Sequence, residues 1–363
     1  MEDIAAAGHE IFAVGSDDSE TYREAFADRG ITYHSVRVSR NGLSPLQDLR
    51  TYCDLRRVIR DIRPDRVFVY QAKTIVYGAP VAARLGTRGV FPLVAGLGSV
   101  FRGGGLKNLA IQQVLRLQYR RALRLSERVF FQNTDDRDQL VRMGLLPASK
   151  SVMINGSGVD LSRFAVEPLP GILTFLFIGR LIRDKGVTEY LEACKRIKAE
   201  FPEVRCILVG PYDTNPSAMR SADLEPYVQA GVVEYWGEMD DVRGAIAASS
   251  VFVLPSYHEG TPKSVLEAMS MGRAIITTDA PGCRETVVPG VNGILVTPRD
   301  VASLVDAMRE FVSGAAVVCG MGAASRRIAE EKYDVHNVNR VIMKVMGLMP
   351  GENLSDERRE FGV

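Results

Sequence analysis

The sequence predicts an α/β protein with two doubly wound domains, each built on a parallel sheet. Apolar runs of strand length alternate with stretches of helical spacing along the whole chain, which is typical of parallel α/β architecture. The chain has 363 residues, whereas single hydrophobic cores rarely grow beyond roughly 250–300 residues. The run Glu167-Pro168-Leu169-Pro170-Gly171 is typical of a linker. We therefore expect two Rossmann-like domains facing one another across a cleft, where such folds bind ligands.

The first half contains apolar runs of strand length and two long helical patterns. The predicted strands are Ile11–Val14, Val67–Tyr70, Val90–Val94, Val129–Gln132 and Val152–Asn155, and the predicted helices are Leu46–Ile62 and Leu106–Leu125. The start of the chain, Ala5-Ala6-Ala7-Gly8-His9-Glu10, is typical of a helix end running into a strand. A doubly wound domain normally places a central strand and a glycine-rich turn before such a helix. The first βα unit is therefore predicted to be missing. A misplaced start, a shortened chain and a different topology are the open explanations.

The second half repeats the alternation. Its predicted strands are Leu173–Ile178, Cys206–Val209, Val232–Tyr235, Val251–Leu254, Ala274–Thr277 and Gly293–Val296, and Val187–Phe201 is a predicted helix. The predicted domains are residues 1–166 and 172–334. A last helix, within residues 335–349, is expected to cross back to the first domain, and residues 350–363 form a polar tail.

Composition narrows the class of protein. With 46% hydrophobic and 25% charged residues, the chain has the composition of a soluble globular protein. It has no run of about 18 apolar residues, and Met1-Glu2-Asp3 does not resemble a secretory signal, so we expect neither a membrane span nor export. The five cysteines are widely spaced without a CxxC pair. This pattern favours reduced cytosolic thiols over a disulfide framework or a zinc site.

The net charge of +1 conceals an asymmetry between the halves. Up to Arg163 there are 24 Lys and Arg against 17 Asp and Glu, whereas the remainder has 21 against 27. Between Asp65 and Glu127 there is no acidic residue, although ten Lys and Arg residues occur there. The asymmetry favours an anionic partner for the first half over a solvated basic face without a partner, which stays the alternative.

The most informative stretch is Ser256–Ala268, which follows the predicted buried strand Val251–Leu254. Thr261 is a suitable N-cap and Pro262 fits the first helical position, so a helix is predicted to start there. Gly272 is predicted to be the C′ residue that ends the helix. Glu259 then lies just before the helix and Glu267 inside it.

This helix start is a candidate anion site, because the free N–H groups of Lys263, Ser264 and Val265 point out of it. Arg180 and Lys185 follow another predicted strand, and two cations at strand ends can hold a diphosphate. Alone, each feature has an ordinary explanation: a strand–loop–helix unit with two unremarkable glutamates, or basic residues in a loop. Together they favour a phosphate-binding site.

The segment from Leu173 to about Met308 resembles the C-terminal domain of the family 4 glycosyltransferases, which have the two-domain GT-B fold. The likeness is carried by Gly179-Arg180 with Lys185-Gly186, Ile207–Gly210, Gly237-Glu238 before Asp241, Ser256–Ala268, and Glu285 with Gly290–Gly293. Glu259 and Glu267, with seven residues between them, match the paired-glutamate motif of the family.

The resemblance implies a retaining transferase that uses a nucleotide sugar, with Arg180, Lys185 and Glu259 as its catalytic residues. Arg180 and Lys185 would hold the donor diphosphate, Glu267 the ribose hydroxyls, and Glu259 the transferred sugar. The implied donor-binding set is Gly179, Arg180, Lys185, Gly260, Thr261, Pro262, Lys263, Ser264, Val265 and Glu267. The base would lie near Gly210, Pro211, Glu238 and Asp241. A UDP-sugar is the expected donor.

The first half resembles a narrower group, the transferases that extend lipid-diphosphate-linked sugars in bacterial surface polysaccharide or glycoprotein assembly. Gly96–Phe101, Phe131–Asp136 and Ile154–Asp160 carry this likeness, and galactosyl and N-acetylgalactosaminyl transferases share such sequences. The chain departs from many members at Ala95, where they have a histidine. A role for that histidine cannot be carried over to this chain.

The basic interval gains a candidate partner from this resemblance, a polyprenyl-diphosphate-linked glycan at an anionic membrane surface. The helix Leu106–Leu125 combines apolar and basic residues, and each Lys or Arg near such a surface contributes about 1 kcal/mol. The residues assigned to the acceptor or membrane side are Lys73, Lys107, Arg116, Arg120, Arg124 and Asn133. The expected location is cytoplasmic, peripheral to the inner face of the cytoplasmic membrane, and no nucleic-acid partner is expected.

No metal or cofactor is expected. Asp17-Asp18, Asp136-Arg137-Asp138 and Asp240-Asp241 superficially resemble metal-binding pairs, but each lies at a predicted turn or helix start, where capping is the better explanation. Two other functions stay open: an inactive nucleotide-sugar-binding protein, and a sugar-nucleotide epimerase of the same fold.

Overall fold

The computed structural model describes residues 1–16, 20–38, 44–97, 106–215 and 217–349. These residues form two compact units, one of residues 1–154 with 339–349 and the other of residues 155–338. All the paired strands in the described residues are parallel, so the predicted α/β class with two Rossmann-like domains is confirmed.

The first unit contains six strands and six complete helices in its described part. The strands are β1 (Ile11–Gly15), β2 (Ile31–Ser35), β3 (Arg66–Tyr70), β4 (Gly89–Val94), β5 (Val129–Phe131) and β6 (Ser151–Met153). The helices are α1 (Glu2–Ala6), α2 (Glu20–Ala27), α3 (Pro45–Ile62), α4 (Ala72–Arg84), α5 (Leu106–Leu125) and α6 (Thr134–Arg142).

The six strands of the first unit form two separate sheets, β1-β2 and β3-β4-β5-β6. The core lies around β4, whose six residues are all buried, because helices such as α4 pack on it. On β3 the side chains of Phe68 and Tyr70 are exposed by 36% and 54%. The strand β2 was not predicted, since Ile31 is its only buried residue and no apolar run marks it.

The segment before residue 349 packs on the first unit. The ring of His9, just before β1, lies 2.9 Å from the carbonyl of Leu348. Arg66, the first residue of β3, donates from Nε to the carbonyl of Met346 at 3.0 Å. The amino ends of the two separate sheets therefore contact the same short segment of chain.

The second unit is built on one six-stranded sheet. Its strands are β7 (Thr174–Ile178), β8 (Arg205–Val209), β9 (Glu234–Tyr235), β10 (Val251–Leu254), β11 (Ala274–Thr278) and β12 (Gly293–Val296). Its helices are α7 (Val187–Glu200), α8 (Ser221–Gln229), α9 (Arg243–Ala247), α10 (Lys263–Ser270), α11 (Val301–Val312) and α12 (Ala315–Lys332), and α13 (Val335–Val345) leads out of the unit.

The strand order of this sheet indicates where a ligand would bind. The order is β12-β11-β10-β7-β8-β9, so the chain winds outward in one direction from β7 and in the other from β10. The neighbours β7 and β10 therefore form a topological switch point, and ligands of open parallel sheets bind outside the carboxyl ends of the strands at such a point.

The predicted linker packs against the second unit. Arg273 is fully buried and donates to the carbonyls of Glu167 and Pro168, as well as to the end of α9. Arg326 and the hydroxyl of Ser270 both donate to the carbonyl of Phe164. The two buried side chains Arg273 and Ser270, together with Arg326, thus tie the segment after residue 160 to the sheet domain.

Candidate active site

The candidate site lies where the loops after β7 and β10 meet. The loop after β7 carries Arg180 and then a 3-10 turn, Arg183–Lys185, before α7. The loop after β10 carries Glu259 and leads into α10. The N–H of Tyr257 donates to the carbonyl of Asp184 at 2.9 Å, so the backbone joins the two loops directly.

Lys185 and Glu259 form an ion pair. Lys185 Nζ lies 2.5 Å from Glu259 Oε1, and the two side chains are exposed by 22% and 13%. The hydroxyl of Ser256 lies 2.7 Å from the same carboxylate oxygen. Glu259 is thus held on one oxygen by a cation and a hydroxyl. Ser256 was not singled out from the sequence.

Arg180 is held by a carboxylate of a third loop. Its Nη1 lies 2.9 Å from Oδ2 of Asp213, in the loop after β8. Arg180 remains 56% exposed, whereas Asp213 is 15% exposed. The spacing of 33 residues between them matches no sequence motif, so Asp213 was also missed.

The start of α10 differs from the prediction by one residue. The helix begins at Lys263, with Pro262 at the N-cap and Thr261 before it, so the predicted capping by Thr261 is wrong. Pro262 has an extended backbone there, and its carbonyl accepts from the N–H of Val265 at 3.1 Å. That N–H is therefore not free for a ligand as predicted. Gly272 has a positive φ of 77° after the helix end, as a C′ residue requires.

Glu267 is a buried carboxylate on α10. It is 8% exposed, and burial raises its pKa above the ordinary value, while Lys263 opposes the shift. Lys263 Nζ lies 3.6 Å from its Oε1 and is itself largely exposed. A buried carboxylate with one exposed cationic partner retains acceptor capacity for hydroxyl groups.

Two glycines allow the loops to approach closely. A Cβ on Gly282 would lie 2.2 Å from the carbonyl oxygen of Glu259, and one on Gly210 would lie 1.8 Å from that of Gly179. Both glycines have positive φ, 79° and 145°, which side chains rarely adopt. Any larger residue would displace Glu259 or the loop of Arg180.

Chemically, these groups suit a diphosphate. Arg180 and Lys185 are cations on the loop after β7, and α10, which follows the loop after the neighbouring strand β10, directs its amino end to the same strand ends. Such an arrangement stabilises negative charge that grows on a leaving group.

Comparison with known families agrees with this chemistry. The model described as "Glycosyl transferase 4-like domain" matches residues 1–156, and that described as "Glycosyl transferases group 1" matches residues 173–313. Residues 173–313 thus match the group 1 model and residues 1–156 the 4-like model, so the chain is a glycosyltransferase. Its fold is GT-B, as the resemblance predicted.

Two relatives of this glycosyltransferase cover most of the chain. The chain is 28% identical, over 314 residues, to an N,N'-diacetylbacillosaminyl-diphospho-undecaprenol alpha-1,3-N-acetylgalactosaminyltransferase of Campylobacter jejuni. This match covers 81% of this chain and 80% of the relative. The chain is 26% identical, over 78% of this chain and 75% of the relative, to a UDP-Gal:alpha-D-GlcNAc-diphosphoundecaprenol alpha-1,3-galactosyltransferase of Escherichia coli. The fold is similar to sucrose-phosphate synthase of Thermosynechococcus elongatus, with a TM-score of 0.79, 18% identity and coverage of 95% and 90% of the two chains.

The region assigned to the nucleobase contains two aromatic rings that sequence reasoning missed. Tyr212, 40% exposed, packs edge-on against Tyr235 with ring centroids 5.7 Å apart. Glu238 is exposed, and Asp241 is engaged by Arg243, which lowers the pKa of that carboxyl to about 2. The glycosyltransferase thus presents an aromatic edge beside Gly210 and Pro211, whereas Asp241 already has a cationic partner.

The residues assigned to the acceptor side separate into different environments in the first unit. Lys73 is paired with Asp48 at 2.9 Å, with both side chains less than 20% exposed. Asn133 is fully buried and caps α6 by accepting from the N–H of Asp136. The side chains of Lys73 and Asn133 are therefore not presented to solvent, and the structure does not support the assignment of these two residues to a binding surface.

The helix α5 carries the remaining assignments. Arg120 and Arg124 are exposed, but Arg116 is half-buried and its Nε has no hydrogen-bond partner among the described residues. The exposed face of α5 is formed by Gln113, Val114, Leu117, Arg120, Arg121, Arg124 and Leu125. The side chain of Lys107, the residues Gly98–Phe101, Asp17-Asp18 and the tail 350–363 lie outside the described part of the glycosyltransferase.

The acidic pairs behave as caps or ion-pair partners where they are described. Asp136 lies in the first turn of α6, and Asp138 pairs with Arg137 at 2.7 Å. Among the residues that the structure describes, no cluster of three or more His, Cys, Asp or Glu side chains is arranged to hold a metal ion.

Proposed function

We propose that the chain is a retaining glycosyltransferase that moves a hexose or N-acetylhexosamine from a UDP-sugar to a polyprenyl-diphosphate-linked glycan. The acceptor belongs to cell-surface polysaccharide or glycoprotein assembly. The observation that carries the donor half is the meeting of Arg180, Lys185 and the start of α10 at the carboxyl ends of β7 and β10. The acceptor half is supported by the relatives that act on undecaprenyl-diphosphate-linked sugars.

In the proposed reaction the bond from the sugar C1 to the diphosphate breaks and a bond from C1 to an acceptor hydroxyl forms on the same face. UDP leaves, and the hydroxyl proton departs with it. Arg180 and Lys185 stabilise the negative charge that grows on the leaving diphosphate. This stabilisation is stronger in the transition state than in the bound substrate. Backbone N–H groups between Gly260 and Ser264 are assigned to the phosphates and the sugar, whereas that of Val265 donates to the carbonyl of Pro262.

The two glutamates have different proposed roles. Glu259 contacts the transferred sugar, since it lies beside Lys185 and is fixed by Ser256. Glu267 accepts from the ribose hydroxyls, since it is buried on α10 and has one exposed partner. The proposed reaction needs no metal, because two cations and a helix start already face the departing charge.

One experiment separates this proposal from the two alternatives. The protein is incubated with a panel of UDP-sugars and lipid-diphosphate disaccharides, and the products are identified by mass spectrometry. Release of UDP with extension of the glycan supports the transferase. UDP-sugar binding without turnover indicates the inactive binder, for which Ala95 is the motivating residue, exposed after β4. Conversion of the UDP-sugar without acceptor indicates an epimerase.

The exposed face of α5 supports a peripheral membrane site for the first unit. Val114 and Leu117 are 58% and 70% exposed, and Arg120, Arg121 and Arg124 lie on the same face. Apolar groups combined with cations suit the headgroup region of an anionic bilayer. No helix within the described ranges is both long and apolar enough to cross a membrane.

Charge reversal tests this site. The variant R120E/R124E should bind anionic liposomes at least roughly thirtyfold more weakly, since each arginine near such a surface contributes about 1 kcal/mol. The matched control K195E/R196E reverses two exposed charges on α7 of the other unit and should co-sediment normally. Equal binding of the α5 variant and the wild-type protein would rule out docking through α5.

A further inference from the structure

Asp213 lies beside the proposed donor site without belonging to any motif of the sequence. It follows β8, the strand next to β7, and its Oδ2 accepts from Nη1 of Arg180 at 2.9 Å. Asp213 is 15% exposed and Arg180 is 56% exposed. The carboxylate is therefore the enclosed partner of the pair, and the guanidinium extends from it toward solvent.

The carboxylate of Asp213 is itself fixed by its own loop. Its Oδ1 accepts from the N–H of Asn215 at 2.7 Å. Burial raises the pKa of Asp213, but hydrogen bonds from Asn215, Arg180 and the N–H of Thr214 outweigh it and bring the pKa below the ordinary value. Asp213 is thus charged at neutral pH, and its own loop fixes the direction of its carboxylate.

The loop that carries Asp213 is joined to the loop that carries Arg180. The N–H of Leu181 donates to the carbonyl of Pro211 at 3.0 Å, and that of Arg183 donates to Ser217 at 3.0 Å. The N–H of Met219 donates back to the carbonyl of Leu181 at 2.8 Å. These backbone hydrogen bonds hold the two loops together, so the distance between Asp213 and Arg180 is fixed by the backbone.

We propose that Asp213 is the positioning residue for Arg180. Its carboxylate engages Nη1, and no other group among the described residues accepts from this half-exposed guanidinium, so the remaining N–H donors are available to a diphosphate. Asp213 thereby removes rotamer freedom that diphosphate binding would otherwise have to remove. This inference rests on the proposed function, because it assigns the diphosphate contact to Arg180.

A carboxylate near the site could also act in the opposite way, by competing with phosphate for Arg180. The two roles predict different signs. If Asp213 positions Arg180, then D213A weakens diphosphate binding, and D213N largely restores it, because the amide oxygen still accepts from Nη1. If Asp213 competes, both variants bind a diphosphate more tightly than the wild-type protein.

A double-mutant cycle provides the test. The dissociation constants of UDP and of inorganic pyrophosphate are measured by calorimetry for wild type, D213A, R180A and the double variant. D213A should raise the dissociation constant of UDP roughly two- to tenfold, the range expected when one rotamer-rich side chain must be ordered on binding. In the R180A background the same change should have no further effect, since Asp213 acts through Arg180.

The control is E200A, which breaks the two-point ion pair between Glu200 and Arg309 at the far end of α7 and should leave UDP binding unchanged. Tighter or unchanged binding in D213A, or an equal loss with and without Arg180, would overturn the positioning role. If the wild-type protein binds neither UDP nor pyrophosphate, the proposed donor class fails, and the positioning role fails with it. When the wild-type protein does bind, the cycle decides on Asp213 alone.

Discussion

The ion pair between Lys185 and Glu259 gives the sharpest prediction about catalysis. If Lys185 holds the donor diphosphate as proposed, K185A removes one charge-assisted contact from it, and Glu259 loses a partner 2.5 Å away. Such a contact is worth about 1.5–3 kcal/mol. This corresponds to a fall in kcat/KM of roughly 10- to 150-fold.

The loss of the phosphate contact and the loss of the ion pair with Glu259 can be separated by introducing K185A into the variant E259Q. If Lys185 acts by touching the phosphates, K185A should cost about as much in E259Q as in the wild-type protein, since the ion pair is already broken there. If Lys185 acts by holding Glu259, its removal from E259Q should cost little.

The assay is steady-state transfer from a UDP-sugar to a lipid-diphosphate glycan, with a thermal melt of each variant to monitor folding. K195A serves as the control, because Lys195 is exposed on α7 away from the loops after β7 and β10. Near-normal kcat/KM for K185A would refute the assignment of this lysine to the diphosphate.

Three further predictions concern buried groups of the second unit. Burial raises the pKa of Glu267 in the folded protein above that in the unfolded chain. The folded protein therefore loses stability at a pH above the raised pKa, where the buried carboxylate is charged. This loss is absent below the pKa of the unfolded chain, where the group is neutral in both states. E267Q should therefore raise Tm more at about pH 7 than at about pH 4, and it should raise the KM for the donor at both; an equal gain in Tm would contradict the burial argument. G282A should lower kcat/KM about a hundredfold, as expected when Glu259 shifts by about 1 Å. The control is G231A: Gly231 also has a positive φ, but a Cβ added there would meet no atom within 4 Å, so this variant should keep its activity. R273M should lower the free energy of unfolding by at least about 2 kcal/mol in urea titrations, because the buried carbonyl of Ile246 loses its donor. An unchanged midpoint would show that water replaces this donor.

Much of the second unit was predictable because its central strands β7, β10 and β11 are buried on both faces. The strand Val251–Leu254 agrees residue for residue, and Gly293–Val296 does as well. Continuous apolar runs mark such strands in sequence. By contrast, β2 is half-exposed, so Ile31-Thr32-Tyr33-His34-Ser35 shows neither an apolar run nor clear alternation.

The candidate site was predictable only in part. Arg180, Lys185, Glu259 and Glu267 follow strands or lie in a recognisable motif, but their partners depend on which strands are neighbours. Asp213 reaches Arg180 because β8 pairs with β7, a relation that the spacing in sequence does not contain. The start of α10 was misplaced because proline is compatible with both the N-cap and the first helical turn.

The division of the first unit into two sheets has a consequence for handling the protein. Six described strands in two sheets leave four edges, at β1, β2, β3 and β6, whereas the six strands of the second unit leave two. Edge strands offer backbone groups that can template pairing with another chain, and β3 adds the exposed rings of Phe68 and Tyr70. Self-association on concentration should therefore begin in the first unit, and amide hydrogens of β1 and β3 should exchange before those of β7 and β10.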